Sequence, residues 1–288
     1  NIAERLYRVT GAGIYRDSVM LKDRVPISEP LLNGKVFGQD SVQCALYGKQ
    51  IYWFWGDTGK PSYPLGNFAA SGAVSQLPPQ LGGAGLDPAM GVDLKYFVGP
   101  DGFSRGMCPI EGQPGPVWFD GLLTVVDAGG RERMLCHFAR IKTLGEMYEH
   151  GAAVYDDDKA KFEPVNRIAL DAPLFMRGIA MRSSSEGGDC WYFCTPFPYI
   201  RCRADYNSLI DPSQYDAYTC LPLGERYNPE HARLERDASG SLVYGWKRNT
   251  GVVLQQEQSE LIGKGLMKPE EAAIQLRDAD TGKAVHGH

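Results

Sequence analysis

Twice in this chain an aspartate stands directly ahead of a short apolar strand that opens a β-hairpin. The first is Phe37-Gly38-Gln39-Asp40-Ser41, which leads into residues 42–47, a turn at Gly48-Lys49-Gln50, and residues 51–55. The second is Val117-Trp118-Phe119-Asp120-Gly121, which leads into residues 122–126, a turn at Asp127-Ala128-Gly129-Gly130, and residues 133–141. Such a repeat constrains the fold more than any bulk property. Two blade-like units that present a carboxylate at the same structural point imply a funnel with acids at its mouth.

The rest of the chain fits an all-β reading. Helical periodicity is nearly absent until the end, while 34 glycines, 19 prolines and 15 tyrosines punctuate short alternating runs. Residues 5–15 and 18–21 are expected to form an N-terminal pair of strands. Residues 56–94 form a long loop with one strand near 69–75, and 95–98 adds another. Residues 122–126, 133–141, 151–155 and 162–168 make four antiparallel strands in about fifty residues, the size of one propeller blade. A third unit starts at residue 178, turns at 185–188 and includes 190–195 and 215–221. A fourth begins near 233–236, turns at 238–240 and continues through 242–247. Lys268-Pro269-Glu270-Glu271 carries helix-start signals, so a short helix is expected over 268–276. The count implies a single five-bladed β-propeller domain over 1–288, with the N-terminal pair in the closing blade and the last blade continuing beyond residue 288. The competing architecture is a β-sandwich with long loops.

Bulk properties narrow the partners. A net charge of −5 offers no basic face for a nucleic acid. No apolar run approaches the roughly 18 residues of a membrane span. The chain starts at Asn1 without a leader: a removed leader would mean a secreted or periplasmic protein, and otherwise a cytoplasmic one. The sequence carries no signal for oligomeric state. Seven cysteines include Cys190, Cys194 and Cys202, but a second zinc-type pair is absent, so buried reduced thiols are expected. Asp156-Asp157-Asp158 reads as a solvated turn, with a structural calcium as the alternative. No other metal and no cofactor is expected.

In propeller geometry the starts of first strands and the loops after second strands reach one mouth. That places Asp40, Asp120 and Arg177 there. The loops add Asp57 of Gly56-Asp57-Thr58, Glu149 and His150 of 145–150, and Arg201 of 195–203. Trp55, Trp118, Phe119, Tyr148, Phe197 and Tyr199 lie among them. Flat rings stack on sugar CH faces, and charged groups grip hydroxyls. Glycosidic cleavage needs one carboxylic acid to protonate the leaving oxygen and a second carboxylate to activate water or attack carbon.

Gly38-Gln39-Asp40, with the hairpin ending Trp53-Phe54-Trp55-Gly56-Asp57-Thr58, resembles the opening of five-bladed propeller glycosidases of the family 43, 32 and 117 types. The unit from Trp118-Phe119-Asp120-Gly121 to Gly151-Ala152-Ala153-Val154-Tyr155-Asp156 is similar to their second blade. The resemblance covers residues 36–195. It implies Asp40 as base and Asp120 as a pKa-tuning modulator. The third unit opens on Phe175-Met176-Arg177-Gly178 without a glutamate. The proton donor is therefore sought in Glu149, with His150, Glu111 or a residue beyond 288 as alternatives. The expected substrate is a poly- or oligosaccharide, contacted by Asp57, Trp55, Trp118, His150, Arg177 and Arg201.

Each signal has a structural counterpart. Asp40 and Asp57 could be turn residues capping backbone amides. His137, inside an apolar strand, reads as a packed core histidine. Ser184-Ser185-Glu186-Gly187-Gly188-Asp189-Cys190-Trp191 has the spacing of a sialidase Asp-box, a turn device. A carbohydrate-binding propeller without catalysis, or one that contacts other proteins, would keep the rings and arginines but not a working acid pair.

Overall fold

The computed structural model describes residues 7–11, 13–67, 69–112, 115–143, 146–185, 188–282 and 284–285. The chain divides into two compact units, Asn1–Leu170 and Asp171–His288. Both are mostly β and built from antiparallel pairs.

The first unit holds two four-stranded meanders. In one, Gln43–Tyr47, Gln50–Trp55, Ser71–Gln76 and Lys95–Tyr96 follow each other across the sheet in chain order. The tight turn at Gly48-Lys49 sets its register, with Tyr47 opposite Gln50 and Gln43 opposite Phe54. In the other, Val117–Val126, Glu132–Thr143, Glu146–Asp156 and Lys161–Pro164 do the same. Successive side chains turn to opposite faces of each sheet, and one face of each meander meets the other; the central strands Glu132–Thr143 and Glu146–Asp156 are buried on both faces over 134–138 and 150–155. Phe54, Met134, Phe138, Ala153 and Phe162 are buried in one cluster with Tyr47, Val117 and Leu122. The Phe162 ring lies 5.2 Å from Phe54 and 4.9 Å from Phe119, in edge-to-face contacts. The Gln43 amide bridges the sheets: its Nε2 donates to Phe119 O at 3.4 Å, and Leu122 N donates to its Oε1 at 3.3 Å.

Two local features position the site. A small sheet pairs Gly38–Gln39 with Thr58–Lys60, which pairs in turn with Tyr63–Asn67. A bulge interrupts Val117–Val126: Asp120 faces His137 while Leu123 faces Leu135, so three steps on one strand match two on the other. Gly121, at φ 63°, supplies the left-handed backbone this needs.

The second unit centres on a five-stranded meander: Ile179–Ser185, Gly188–Cys194, Ile200–Arg203, Asp216–Thr219 and Gly245–Arg248. Beside it Cys220, Leu221, Val253, Leu261 and Met267 form a buried cluster that holds the helix Gln255–Gly263.

Several expectations change. Residues 18–21 do not form a strand; Arg16–Met20 is a single helical turn, and no strand is found among the described residues of 7–21. Residues 1–6 and 12 lie outside the described residues. The expected fourth unit is not a separate sheet. Gly245–Arg248 pairs with Asp216–Thr219 as a fifth strand, and 233–242 contributes only an Arg236–Leu242 bridge around the Asp237 turn. Ile200–Arg203, expected as loop, is a strand. The helix expected over 268–276 shrinks to a 3-10 turn at Pro269–Glu271. Glu186 and Gly187 of the Asp-box-like run lie outside the described residues. All seven cysteines are free. Among the described residues no group of three or more His, Cys, Asp or Glu is placed to hold a metal ion. Asp156 instead accepts from the backbone N–H groups of Asp158 and Lys159, and Asp157 pairs with Arg131 at 2.7 Å. No described helix is long and apolar enough to cross a membrane.

Candidate active site

The pairing of Gln39 with Thr58 carries Asp40 alongside Asp57. Asp40 N–H donates to Asp57 O at 3.3 Å, and Gly56 N–H donates to Asp40 O at 3.0 Å. Gly56 is required here by close approach. A Cβ on it would lie 2.8 Å from Asp40 Oδ1, so the carboxylate rests directly over the Gly56 backbone. Ser41, next to Asp40, sits at φ 53°, a left-handed conformation that non-glycine residues rarely take.

Beneath this pair lies a fixed polar network. Thr58 and Ser71 are fully buried and share a 2.7 Å hydrogen bond. Gln39 Nε2 donates to Ser71 Oγ at 2.7 Å, and the Tyr96 hydroxyl donates to Gln39 Oε1 at 2.7 Å. Burial pushes the Tyr96 phenol well above its ordinary range, so it remains a donor. The network pins the strand end that carries Asp57. Sequence reasoning passed over Gln39, Thr58, Ser71 and Tyr96. No spacing rule marks them, because their partners lie up to 57 residues away.

Asp40 and Asp57 open onto one cleft of about 330 Å³ in the first unit. Trp55, Trp118, Phe54, Phe119 and Leu122 supply its apolar walls, and Ser41 and Gln43 its remaining polar groups. Trp55 is mostly buried, stacked at 6.4 Å on Trp53 and packed at 5.6 Å on Tyr96, so it forms a rigid wall. Trp118 is half-buried and keeps part of its ring open.

The two acids differ. Asp40 is exposed. Asp57 is half-buried, and its Oδ1 is buried without a hydrogen-bond partner among the described residues. Burial first, and then the negative charge of Asp40, push the Asp57 carboxyl above the ordinary aspartate range. One carboxyl thus favours holding a proton beside another that is open to solvent.

Asp120 is not among the cleft-lining residues. It lies within its strand rather than ahead of it, between Phe119 and the bulge that brings Leu122 to the wall. Its carboxylate meets His137 Nδ1. His137 Nε2 is 2.9 Å from His150 Nδ1, and His150 Nε2 donates to Ala169 O at 3.1 Å. His137 is therefore buried, as its apolar strand implies, but serves a polar chain that the strand pattern does not reveal. His150 is fully buried, which removes it from direct substrate contact. Burial also pushes its imidazole below the ordinary histidine range.

Glu149 lies on a strand, not a loop, and both its oxygens are engaged. Oε2 pairs with Arg140 at 3.2 Å, and Oε1 meets Arg167. Arg140 is itself buried, 3% exposed, so this is a structural clamp and not an open proton donor. Glu111 is exposed. Arg177 and Arg201 belong to the second unit. Arg177 lies over the Phe175 ring at 5.6 Å, and Arg201 sits between Asp216 at 3.2 Å and the Trp246 ring at 4.3 Å. Asp40, Asp57, Trp55 and Trp118 are thus gathered in one cleft, and Asp120 lies outside its lining. No family model, curated protein or solved structure matches the chain.

Proposed function

We propose that this chain is a glycoside hydrolase acting on a poly- or oligosaccharide, with Asp57 as general acid and Asp40 as base or nucleophile. The observation that carries this reading is the unequal acid pair: two aspartates in one ring-walled cleft, one with raised proton affinity. Glycosidic cleavage asks for that division of labour, a proton for the leaving oxygen and a negative charge for water or the sugar carbon. Trp118 offers the stacking face and Trp55 the rigid wall behind it. Asp120 acts as the modulator through the strand that carries Phe119 and Leu122.

The proposal extends to the architecture. The up-and-down order of three successive sheets, each four or five strands wide, supports a five-bladed propeller forming one domain. The small sheet at Gly38–Gln39 and the fifth strand of the third sheet are elaborations on that plan.

The test is a glycan panel assayed with wild type, Asp40→Asn and Asp57→Asn. Each amide should lower turnover by about 10²–10⁴-fold, the range for one acid–base group, while glycan binding by wild type and variants stays comparable. Unchanged turnover in either variant removes the assignment. Binding without cleavage by wild type would leave a non-catalytic carbohydrate-binding protein.

A further inference from the structure

Asp120, His137 and His150 are a buried set of titratable groups that two acids in the cleft do not explain. Their hydrogen bonds fix a proton count. Ala169 O can only accept, so His150 Nε2 carries hydrogen. If His150 is neutral, its Nδ1 accepts, and His137 Nε2 donates to it. One hydrogen then remains between His137 Nδ1 and Asp120 Oδ1. It sits on the ring, making imidazolium against carboxylate, or on Asp120, making a carboxylic acid against a neutral ring. If His150 is instead the cation, its Nδ1–H donates to His137 Nε2, and His137 Nδ1–H donates to Asp120.

The three arrangements hold the same number of protons, and each has zero net charge. They interconvert by hops along bonds already formed, with no ring turning. Removing the common proton leaves two lone pairs facing each other at one joint of the chain, so one hydrogen bond is lost. Burial of both rings makes such a loss costly.

We propose that Asp120, His137 and His150 form a one-proton relay, a net-neutral unit that holds Asp120 in the strand whose Phe119 and Leu122 wall the cleft. Asp120 follows Phe119 directly in the chain, about 3.8 Å away between Cα atoms, and Phe119 lines the cleft. Alternation along the strand turns the Asp120 side chain away from the face that Phe119 presents to the cleft, so the relay acts on the cleft by fixing the strand that carries its wall. His137 and His150 are thus positioning residues that act through Asp120. The consequence for the cleft rests on Asp40 and Asp57 being the working pair; the proton count does not.

Nitrogen-15 NMR of the imidazole rings in the full chain tests this. With five histidines in the sequence the spectrum is simple, and His150→Gln and His137→Gln assign the two rings; either variant alone suffices. At pH 7 we expect a hydrogen on His150 Nε2 and both nitrogens of His137 bearing or sharing hydrogen. A strongly downfield bridging proton should mark the contact with Asp120. Asp120→Asn removes the carboxylate that shares the proton, so the strongly downfield bridging resonance should vanish and His137 should become a neutral ring, its remaining hydrogen on either nitrogen because the amide can accept or donate. Two neutral rings in wild type with no hydrogen bridging His137 Nδ1 and Asp120 would overturn the relay. A relay seen by NMR together with undiminished hydrolysis by Asp40→Asn and Asp57→Asn would keep the relay and reject Asp40 and Asp57 as the working pair, and a relay without any glycan hydrolysis by wild type would keep the relay and reject the glycosidase reading.

Discussion

At the scale of single residues, the environment of Asp57 makes two predictions of opposite sign. The group's proton affinity is raised in the folded chain by burial and by Asp40. An aspartate in the unfolded chain titrates near about 3.9. The favourable contribution, the protonated form in its half-buried site, is therefore complete below about pH 3.9 and is lost as pH rises through the higher folded value. Asp57→Asn removes that penalty. Urea denaturation should find the variant more stable than wild type at pH 7 and no more stable at pH 3.5, even though its turnover falls. A variant equally stable at both pH values would mean that Asp57 is not held in a charge-averse site. Asp40 is tested through its neighbour. Gly56→Ala brings a methyl group against Asp40 Oδ1 and should displace the carboxylate by about an ångström, enough to cost roughly 10²-fold in turnover. The circular dichroism spectrum should be unchanged. Asp40 was legible as a candidate because it repeats the placement of Asp120. The pairing of Asp40 with Asp57 was not, because it depends on a two-residue strand, Gly38–Gln39, too short to announce itself in sequence.

At the scale of elements, hairpins were the most readable part of the chain. Residues 42–55 and 122–141 are short apolar runs around glycine turns, and their registers follow. Strand length was less readable. Glu146–His150 looks polar enough for a loop, yet Glu149 is paired with two arginines and both ring nitrogens of His150 have hydrogen-bond partners, so the strand Glu146–Asp156 runs through them. The helix Gln255–Gly263 was missed for a related reason: among its nine residues only Gln258 and Leu261 are buried, too few for a periodic apolar stripe. The Gln258 amide instead donates to Val253 O at 2.7 Å. The bulge at Gly121 offers a test at this scale. With φ at 63°, Gly121→Val forces a β-branched residue into left-handed backbone. It should cost on the order of 1–2 kcal/mol in denaturant titrations and disturb the Asp120–His137 contact and the Leu122 wall together. Full stability of Gly121→Val would show that the bulge does not depend on glycine.

At the scale of the whole molecule, each compact unit carries its own buried cluster, Phe54–Phe162 in the first and Leu221–Leu261 in the second. The chain divides into two compact units, whereas the proposed propeller is one domain, and cooperativity decides between these pictures. Phe162 and Leu261 are both fully buried. Phe162→Ala should cost about 3–5 kcal/mol and Leu261→Ala about 2–5 kcal/mol through lost burial and the cavity left behind. In a single propeller every blade shares one cooperative transition, so calorimetry should show one unfolding peak that either substitution lowers as a whole. Two independent domains would give two peaks, with Phe162→Ala moving only one and Leu261→Ala only the other. That second pattern would confine the cleft and its acids to a self-sufficient first unit.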